Sequence, residues 1–403
     1  MPHRKTLTPI MVERPEQIDG ICAAARGEGR FAFDTEFVME DVSKPDVCLV
    51  QLATEEDVYL VDQYVGLDMA PIWGLLVDPE VETVVHAGQE DLGLCVQAVG
   101  KAPRNVFDVQ IAAGLVGPDF PLSLARLAQS LLHLRLHKSQ TLTDWRKRPL
   151  SAEQRRYAAE DVAHLLRIRR KLGKQLQQIQ REDWAREEFS RLEGIRYYRR
   201  TETQRLARVK GAGSLAPRQL AVATELMLWR EQMADRLNRP ARAVLKDHLL
   251  TEVARTGLSQ PKQVRSLRGV NLGARHVEDL CRVVQRALEI PPQRWPETKT
   301  GKPETPRETI LTTLITAVIR SECQRLNVSY SLTAAKKDIQ ELVRWHADGT
   351  RKSKRTPRLL RGWRGHTLGA SLEAVLAGKA SVHVDNDNTT SSVLALNVKT
   401  PGS

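Results

Sequence analysis

The sequence has no Cys-x-x-Cys pair. Its five cysteines, Cys22, Cys48, Cys95, Cys281 and Cys323, are scattered and odd in number. That argues against a zinc site built on paired thiolates and against a disulfide framework, and it points to reduced thiols. No apolar run is long enough to span a bilayer. Met1-Pro2-His3-Arg4-Lys5 is not followed by an apolar stretch either, so a cytoplasmic protein without a membrane partner is expected. No Gly-x-x-x-x-Gly-Lys-Ser/Thr loop occurs, which removes helicases from consideration. Acidic residues are in deficit: 49 Asp and Glu stand against 61 Lys and Arg, a formal net charge of +12 over 403 residues. Such an excess suits a polyanion, and nucleic acid is the obvious one. A chain of this length can hold two or three domains.

Some of the acids that are present stand in three short motifs. Phe31 to Val38 has the aromatic and β-branched content of a strand and follows the turn residues 27–30. Side chains alternate along a strand, so Asp34 and Glu36 share one face while Phe33, Thr35 and Phe37 share the other. Two carboxylates side by side on an apolar strand repel, and a cation between them removes the conflict. Alone, an exposed edge strand with two solvated acids explains the motif as well.

The second motif is His86-Ala87-Gly88-Gln89-Glu90-Asp91. It connects a short strand, Glu82 to Val85, to helical periodicity over Asp91 to Val99. Asp91 then falls in the first helical turn, where the helix dipole favours an acid in any case. The third motif, Tyr157-Ala158-Ala159-Glu160-Asp161, lies on a helix that opens with a Ser151/Gln154 capping box and is expected to reach about Leu172. Tyr157 and Asp161 are four residues apart and project from one face. An amphipathic helix with a half-buried tyrosine explains that pair equally well in isolation. Three such coincidences in this order, each beside the expected element, are far harder to accept together.

In these motifs the sequence resembles the ribonuclease D family, within the tyrosine subclass of the DEDD exonuclease superfamily. Asp34 and Glu36 match the family's Asp-x-Glu, Asp91 its second motif, and Tyr157 with Asp161 its Tyr-x-x-x-Asp. The stretch Lys138-Ser139-Gln140-Thr141-Leu142-Thr143-Asp144-Trp145 resembles the family's Lys-Ser…Asp-Trp segment. The resemblance implies a ribonuclease-H-like fold and two divalent cations, Mg²⁺ or Mn²⁺, held by Asp34, Glu36, Asp91 and Asp161. Hard oxygen ligands suit those ions, and two of them about 4 Å apart can drive phosphodiester hydrolysis. It further implies stepwise removal of 5′-nucleotides from the free 3′ end of RNA, such as tRNA precursors and small structured RNAs. Phe37, Gln51, Leu52, His86 and Gln89 are candidates for the terminal-nucleotide pocket, and Lys138 for a phosphate contact.

The expected architecture is α/β followed by all-α. Residues 1–195 form the exonuclease domain. Ile10-Met11-Val12 opens it as a strand and a helix follows over Pro15 to Ala25. Phe31 to Val38, Val47 to Ala53 and Val58 to Val61 are expected to pair antiparallel through short connections. Residues 196–217 read as a basic linker. Residues 214–292 are helical and resemble an HRDC domain in Trp229-Arg230-Glu231, Asn238-Arg239-Pro240, Val244-Leu245-x-Asp247 and Leu267-Arg268-Gly269-Val270. After a Pro-rich linker, 307–380 read as a second, divergent HRDC-like unit containing the basic run Arg351-Lys352-Ser353-Lys354-Arg355, and 381–403 as a disordered tail. A monomer is expected. The competing readings are a proofreading-type DNA exonuclease and a nucleic-acid-binding protein with an inactive nuclease domain. The absence of a polymerase segment disfavours the first, and the complete set of acids disfavours the second.

Overall fold

The aromatic and apolar residues from Arg30 to Val38 do form a strand, β2, in the computed structural model, which describes residues 8–136, 143–296, 304–347, 355–385 and 393–398. Around it, in chain order, lie β1 (Ile10–Val12), α1 (Pro15–Glu28), β3 (Asp46–Ala53), β4 (Val58–Asp62), α2 (Ala70–Leu76), β5 (Glu82–Val85), α3 (Gln89–Val99) and β6 (Val106–Asp108). Helices α4 (Val109–Val116), α5 (Leu124–Leu132), α6 (Ala152–Ala163), α7 (Leu165–Gln178) and α8 (Glu182–Ser190) follow.

The strands form one sheet in the order β1-β4-β3-β2-β5-β6. The short connection from β3 to β4 gives an antiparallel pair, with Gln51 opposite Leu60. Parallel pairs join β1 to β4, β2 to β5, and β5 to β6. This is the mixed, ribonuclease-H-like sheet that the resemblance implies, and it sets the acid-bearing strand in the middle. Phe31, Phe33, Leu49, Leu52 and Leu60 are fully buried. Each such side chain contributes about 1.5–3 kcal/mol to folding.

One helix from Ser151 to Leu172 was expected. The structure breaks it at His164 into α6 and α7. The break lets the two halves present different faces: α6 turns Asp161 toward β2, while α7 buries Leu165, Leu166, Ile168, Leu172 and Leu176.

The chain divides into two units, Met1–Thr35 with Leu49–Ile195 and Glu304–Ser403, and Glu36–Cys48 with Arg196–Pro303. In the first unit the helices Pro306–Arg325, Lys336–Ala347 and Ala370–Leu376 share a hydrophobic core with the exonuclease-type elements. Ile315, Ile319, Leu342 and Leu359 belong to the same cluster as Leu115, Leu166 and Phe189. Arg181 of the α7–α8 turn fastens the two parts, donating to the carbonyls of Leu115 (2.6 Å), Asn327 (3.3 Å) and Leu326. Within the stretch 381–403 expected to be disordered, Ala380–Val384 and Leu394–Val398 pair as antiparallel strands, while 386–392 and 399–403 lie outside the described residues. Alternation is the reason: Ala380, Val382, Leu394 and Leu396 pack on the core while Ser381, His383 and Asn397 are exposed. Of the basic run 351–355, residues 351–354 lie outside the described residues.

In the second unit, helices Pro217–Leu237, Asp247–Thr256 and Ala274–Leu288 surround a core of their own. The stretch read as a basic linker belongs to this core through Leu206, Val209, Ala212 and Leu215, whose three-residue spacing keeps them on one side of short helical turns. Arg230 and Asp247, both buried, pair at 2.7 Å. Among the described residues, no helix is long and apolar enough to cross a membrane.

Candidate active site

Strand β2 runs unbroken through Asp34 and Glu36, so one backbone places both carboxylates on one face. Helix α6 starts at its capping box, where Gln154 N–H donates to Ser151 Oγ at 3.1 Å and Ser151 N–H to Gln154 Oε1 at 2.8 Å. It then presents Tyr157 and Asp161 one turn apart. Carboxylate oxygens of Asp34, Glu36 and Asp161 come within 4.8 Å of one another. Three anions that close are stable only with protons or cations among them. The donors are all oxygens and the residues half-buried, which fits a hard divalent ion.

Burial pushes the Asp161 carboxyl up from 3.8 to about 7, the hydrogen bond from Tyr157 opposes this, and the negative charges of Glu160 and Asp91 add to it. In the metal-free protein the stability tied to the Asp161 proton is fully present below pH 3.8 and is lost as the pH rises through about 7. A bound cation replaces the proton. Mg²⁺ or Mn²⁺ should therefore raise the melting temperature more at about pH 8 than at about pH 6. Equal shifts at the two values would count against cation binding at this carboxylate.

Asp91, at 8% exposure, sits in the first turn of α3. It is not one of the three clustered acids, although its charge reaches Asp161. Burial pushes its own carboxyl up, and a hydrogen bond from Thr35 opposes this. The Thr35 hydroxyl, on the strand between Asp34 and Glu36, donates to Asp91 Oδ1. Alternation placed Thr35 on the opposite face and gave it no role. Only the packing of α3, 56 residues away in sequence, assigns one.

The nucleotide-pocket candidates separate. Phe37 is half-exposed beside Glu36, and Gln89 is exposed at the start of α3. His86 is half-buried, its Nε2 lying 2.8 Å from the Leu122 carbonyl. Gln51 and Leu52 are fully buried and offer no surface to a nucleotide. The correction has a simple cause: β3 is an interior strand covered on both faces, so both alternating sets are buried. Lys138 lies outside the described residues.

A further pair escaped the sequence reading. Arg148 Nη2 donates to Asp62 Oδ1 at 2.7 Å, its Nε donates to Asp62 Oδ2, and its Nη1 donates to the Trp145 carbonyl at 2.7 Å. The guanidinium also lies 4.7 Å from the Tyr64 ring centre. This clamp fixes the segment ahead of α6, where buried Trp145 packs 6.1 Å from the Tyr157 ring. Asp144-Trp145 was noted in the sequence, but its use as a backstop for Tyr157 was not.

Residues 9–177 match the 3′–5′ exonuclease family, 219–284 the HRDC domain, and 310–372 the C-terminal HRDC domain of ribonuclease D. The chain is 31% identical over 382 residues to ribonuclease D of Gluconacetobacter diazotrophicus, covering 94% of this chain and 95% of that one. It is 32% identical over 357 residues to ribonuclease D of Pseudomonas paraeruginosa, covering 87% and 93%. Its fold is similar to the crystal structure of Escherichia coli RNase D, described as an exoribonuclease involved in structured RNA processing. That likeness has a TM-score of 0.79 at 26% identity and spans 92% of this chain and 99% of that chain. With agreement over nearly the whole length in both sequence and fold, the chain belongs to the ribonuclease D family.

Proposed function

We propose that this protein is a divalent-metal-dependent 3′→5′ exoribonuclease that releases nucleoside 5′-monophosphates, with tRNA precursors and other small structured RNAs as substrates. One observation carries the reading: the carboxylate oxygens of Asp34, Glu36 and Asp161 meet within 4.8 Å, at the junction of the central strand and α6. The family membership narrows the chemistry, and the net charge of +12 suits an RNA backbone. Asp34, Glu36 and Asp161 would hold the two ions, Mg²⁺ or Mn²⁺, and Asp91 would help to hold them. Such ions supply an activated water and relieve charge on the leaving oxygen.

Tyr157 holds Asp161 by a hydrogen bond. A phenol loses its proton only near pH 10, so at neutral pH it donates a hydrogen bond and is a poor base. Its role is to orient Asp161 and the attacking water. Tyr157→Phe should lower turnover by about a hundredfold with metal affinity nearly unchanged. Wild-type turnover in that variant would remove the tyrosine from the mechanism. Phe37, half-exposed next to Glu36 in β2, and Gln89, exposed at the start of α3, would meet the terminal nucleotide. One chain carries every residue invoked, so a monomer suffices. Five buried cysteines, none of them in a disulfide, suit the cytoplasm.

The test is purified protein with 3′-labelled and 5′-labelled RNA and DNA, in Mn²⁺, Mg²⁺ or EDTA. RNA shortening from the 3′ end that stops with the chelator is expected. Preference for DNA would favour a proofreading-type enzyme, and no cleavage with any metal would leave a nucleic-acid-binding protein.

A further inference from the structure

We infer that Asp108, which lies outside all three acidic motifs, is a positioning residue that sets the course of the turn 86–88 and through it the place of Asp91. The inference rests on the proposed role of Asp91 at the metal site.

Asp108 is the last residue of β6 and caps α4, with Oδ1 accepting from the N–H groups of Gln110 (2.8 Å) and Ile111 (3.2 Å). A cap of this kind needs no more than those bonds. Yet the same carboxylate also reaches back about twenty residues. Oδ1 accepts from Ala87 N–H at 3.2 Å, and Oδ2 from Gly88 N–H at 3.2 Å. The Asp108 carboxylate is 2% exposed, so a lost bond leaves a buried acceptor short of a partner.

The turn needs such an anchor because its backbone is unusual. Ala87 has φ of 55°, in the left-handed region that residues with side chains rarely adopt. A Cβ on Gly88 would lie 2.6 Å from the Val85 side chain, so only glycine fits there. α3 begins at the next residue, and Asp91 follows within its first turn. The start of α4 also holds the other side of the turn. Gln110 Nε2 donates to the Leu122 carbonyl at 3.0 Å, and that carbonyl is the partner of His86 Nε2 at 2.8 Å. Asp91 is thus delivered by a turn fastened at residues 86, 87 and 88, and the Thr35 hydroxyl meets it on arrival.

Asp108→Asn separates the two jobs. With its oxygen in the Oδ1 position it keeps the contacts to Ala87, Gln110 and Ile111. An NH₂ then faces the Gly88 N–H, donor against donor. Hydrogen exchange should show faster exchange at Gly88, with Gln110 and Ile111 still protected. For RNA cleavage, kcat should fall about 10–100-fold at unchanged KM, with a matching rise in the Mn²⁺ concentration needed for half-maximal binding, read by the electron paramagnetic resonance of free Mn²⁺. In an Asp91→Asn background the same substitution should add little further loss.

Unchanged exchange at Gly88, or wild-type kcat and Mn²⁺ affinity in Asp108→Asn, would overturn the inference. So would a loss fully additive with that of Asp91→Asn. Asp108→Ser keeps a cap for α4 but is too short for the turn. Wild-type kcat and Mn²⁺ affinity in folded Asp108→Ser would overturn it equally. If the wild-type protein neither binds Mn²⁺ nor cleaves RNA, the proposed function fails, while the exchange experiment still decides whether Asp108 holds the turn.

Discussion

Asp161→Asn is expected to lower RNA turnover by about a thousandfold or more while leaving the metal-free protein as stable as the wild type, or more so. The first half follows from the site. Asp161 is one of three residues whose oxygens converge, and a neutral amide cannot supply the anionic ligand that remains. Losing several kcal/mol of transition-state charge stabilisation corresponds to that factor, at about 1.4 kcal/mol per tenfold. The second half follows from the cost of burying the charge. The Asp161 carboxyl is pushed up to about 7 because burial and neighbouring anions disfavour its ionised form. The amide removes that penalty at about pH 8 and leaves Asp34 and Glu36 with less repulsion. The measurement is kcat beside thermal melting with and without Mn²⁺. Turnover and the metal-dependent rise in melting temperature should vanish together. A variant that retains either near the wild-type level would remove Asp161 from the metal site. Asp34→Ala should abolish turnover in the same way.

Glu188→Ala should destabilise the first unit by roughly 3–5 kcal/mol, the usual result of stripping one partner from a buried ion pair. Glu188 and Arg364 are 2% and 1% exposed. The Glu188 carboxylate accepts from Arg364, from Trp363 Nε1 at 3.0 Å and from Arg191 at 3.0 Å. Burial pushes this carboxyl up, but Arg364, Trp363 and Arg358 outweigh that and hold it below the usual range. The pair's contribution is therefore present above about pH 4.5 and is lost as the pH falls through the depressed value. In the alanine variant Arg364 keeps its bonds to the Thr333 and Leu332 carbonyls, and Glu187 at 3.9 Å is a partial substitute, which favours the lower end of the range. Thermal melting should fall by about 5–10 °C. A change below about 2 °C would mean that α8 and the helical part 304–376 do not depend on this pair. The stakes extend past one bond, since Trp184 and Trp363 stack at 4.5 Å across the same junction.

Much of the site was legible because local backbone geometry fixes it. A period of two puts Asp34 and Glu36 on one face wherever β2 goes, and a spacing of four does the same for Tyr157 and Asp161 on α6. The capping box at Ser151 marked the start of that helix in the sequence and is present in the structure. What could not be read were the contacts between elements far apart along the chain. The Thr35–Asp91 bond, the reach of Asp108 to residues 87 and 88, and the Asp62–Arg148 clamp each join residues that share no periodicity. Gln51 and Leu52 looked available because a strand's sequence does not say whether it lies at an edge or inside a sheet. That the helices after residue 304 share a core with the exonuclease-type elements could not be read, because helical patterning shows that a face is apolar and not what will cover it. By itself the sequence determined which ligand types exist and which pairs of them share a face, because a backbone repeats at a fixed period. Only the tertiary structure decided how those faces meet and which buried groups hold them there, because hydrogen bonds and packing depend on distance in space.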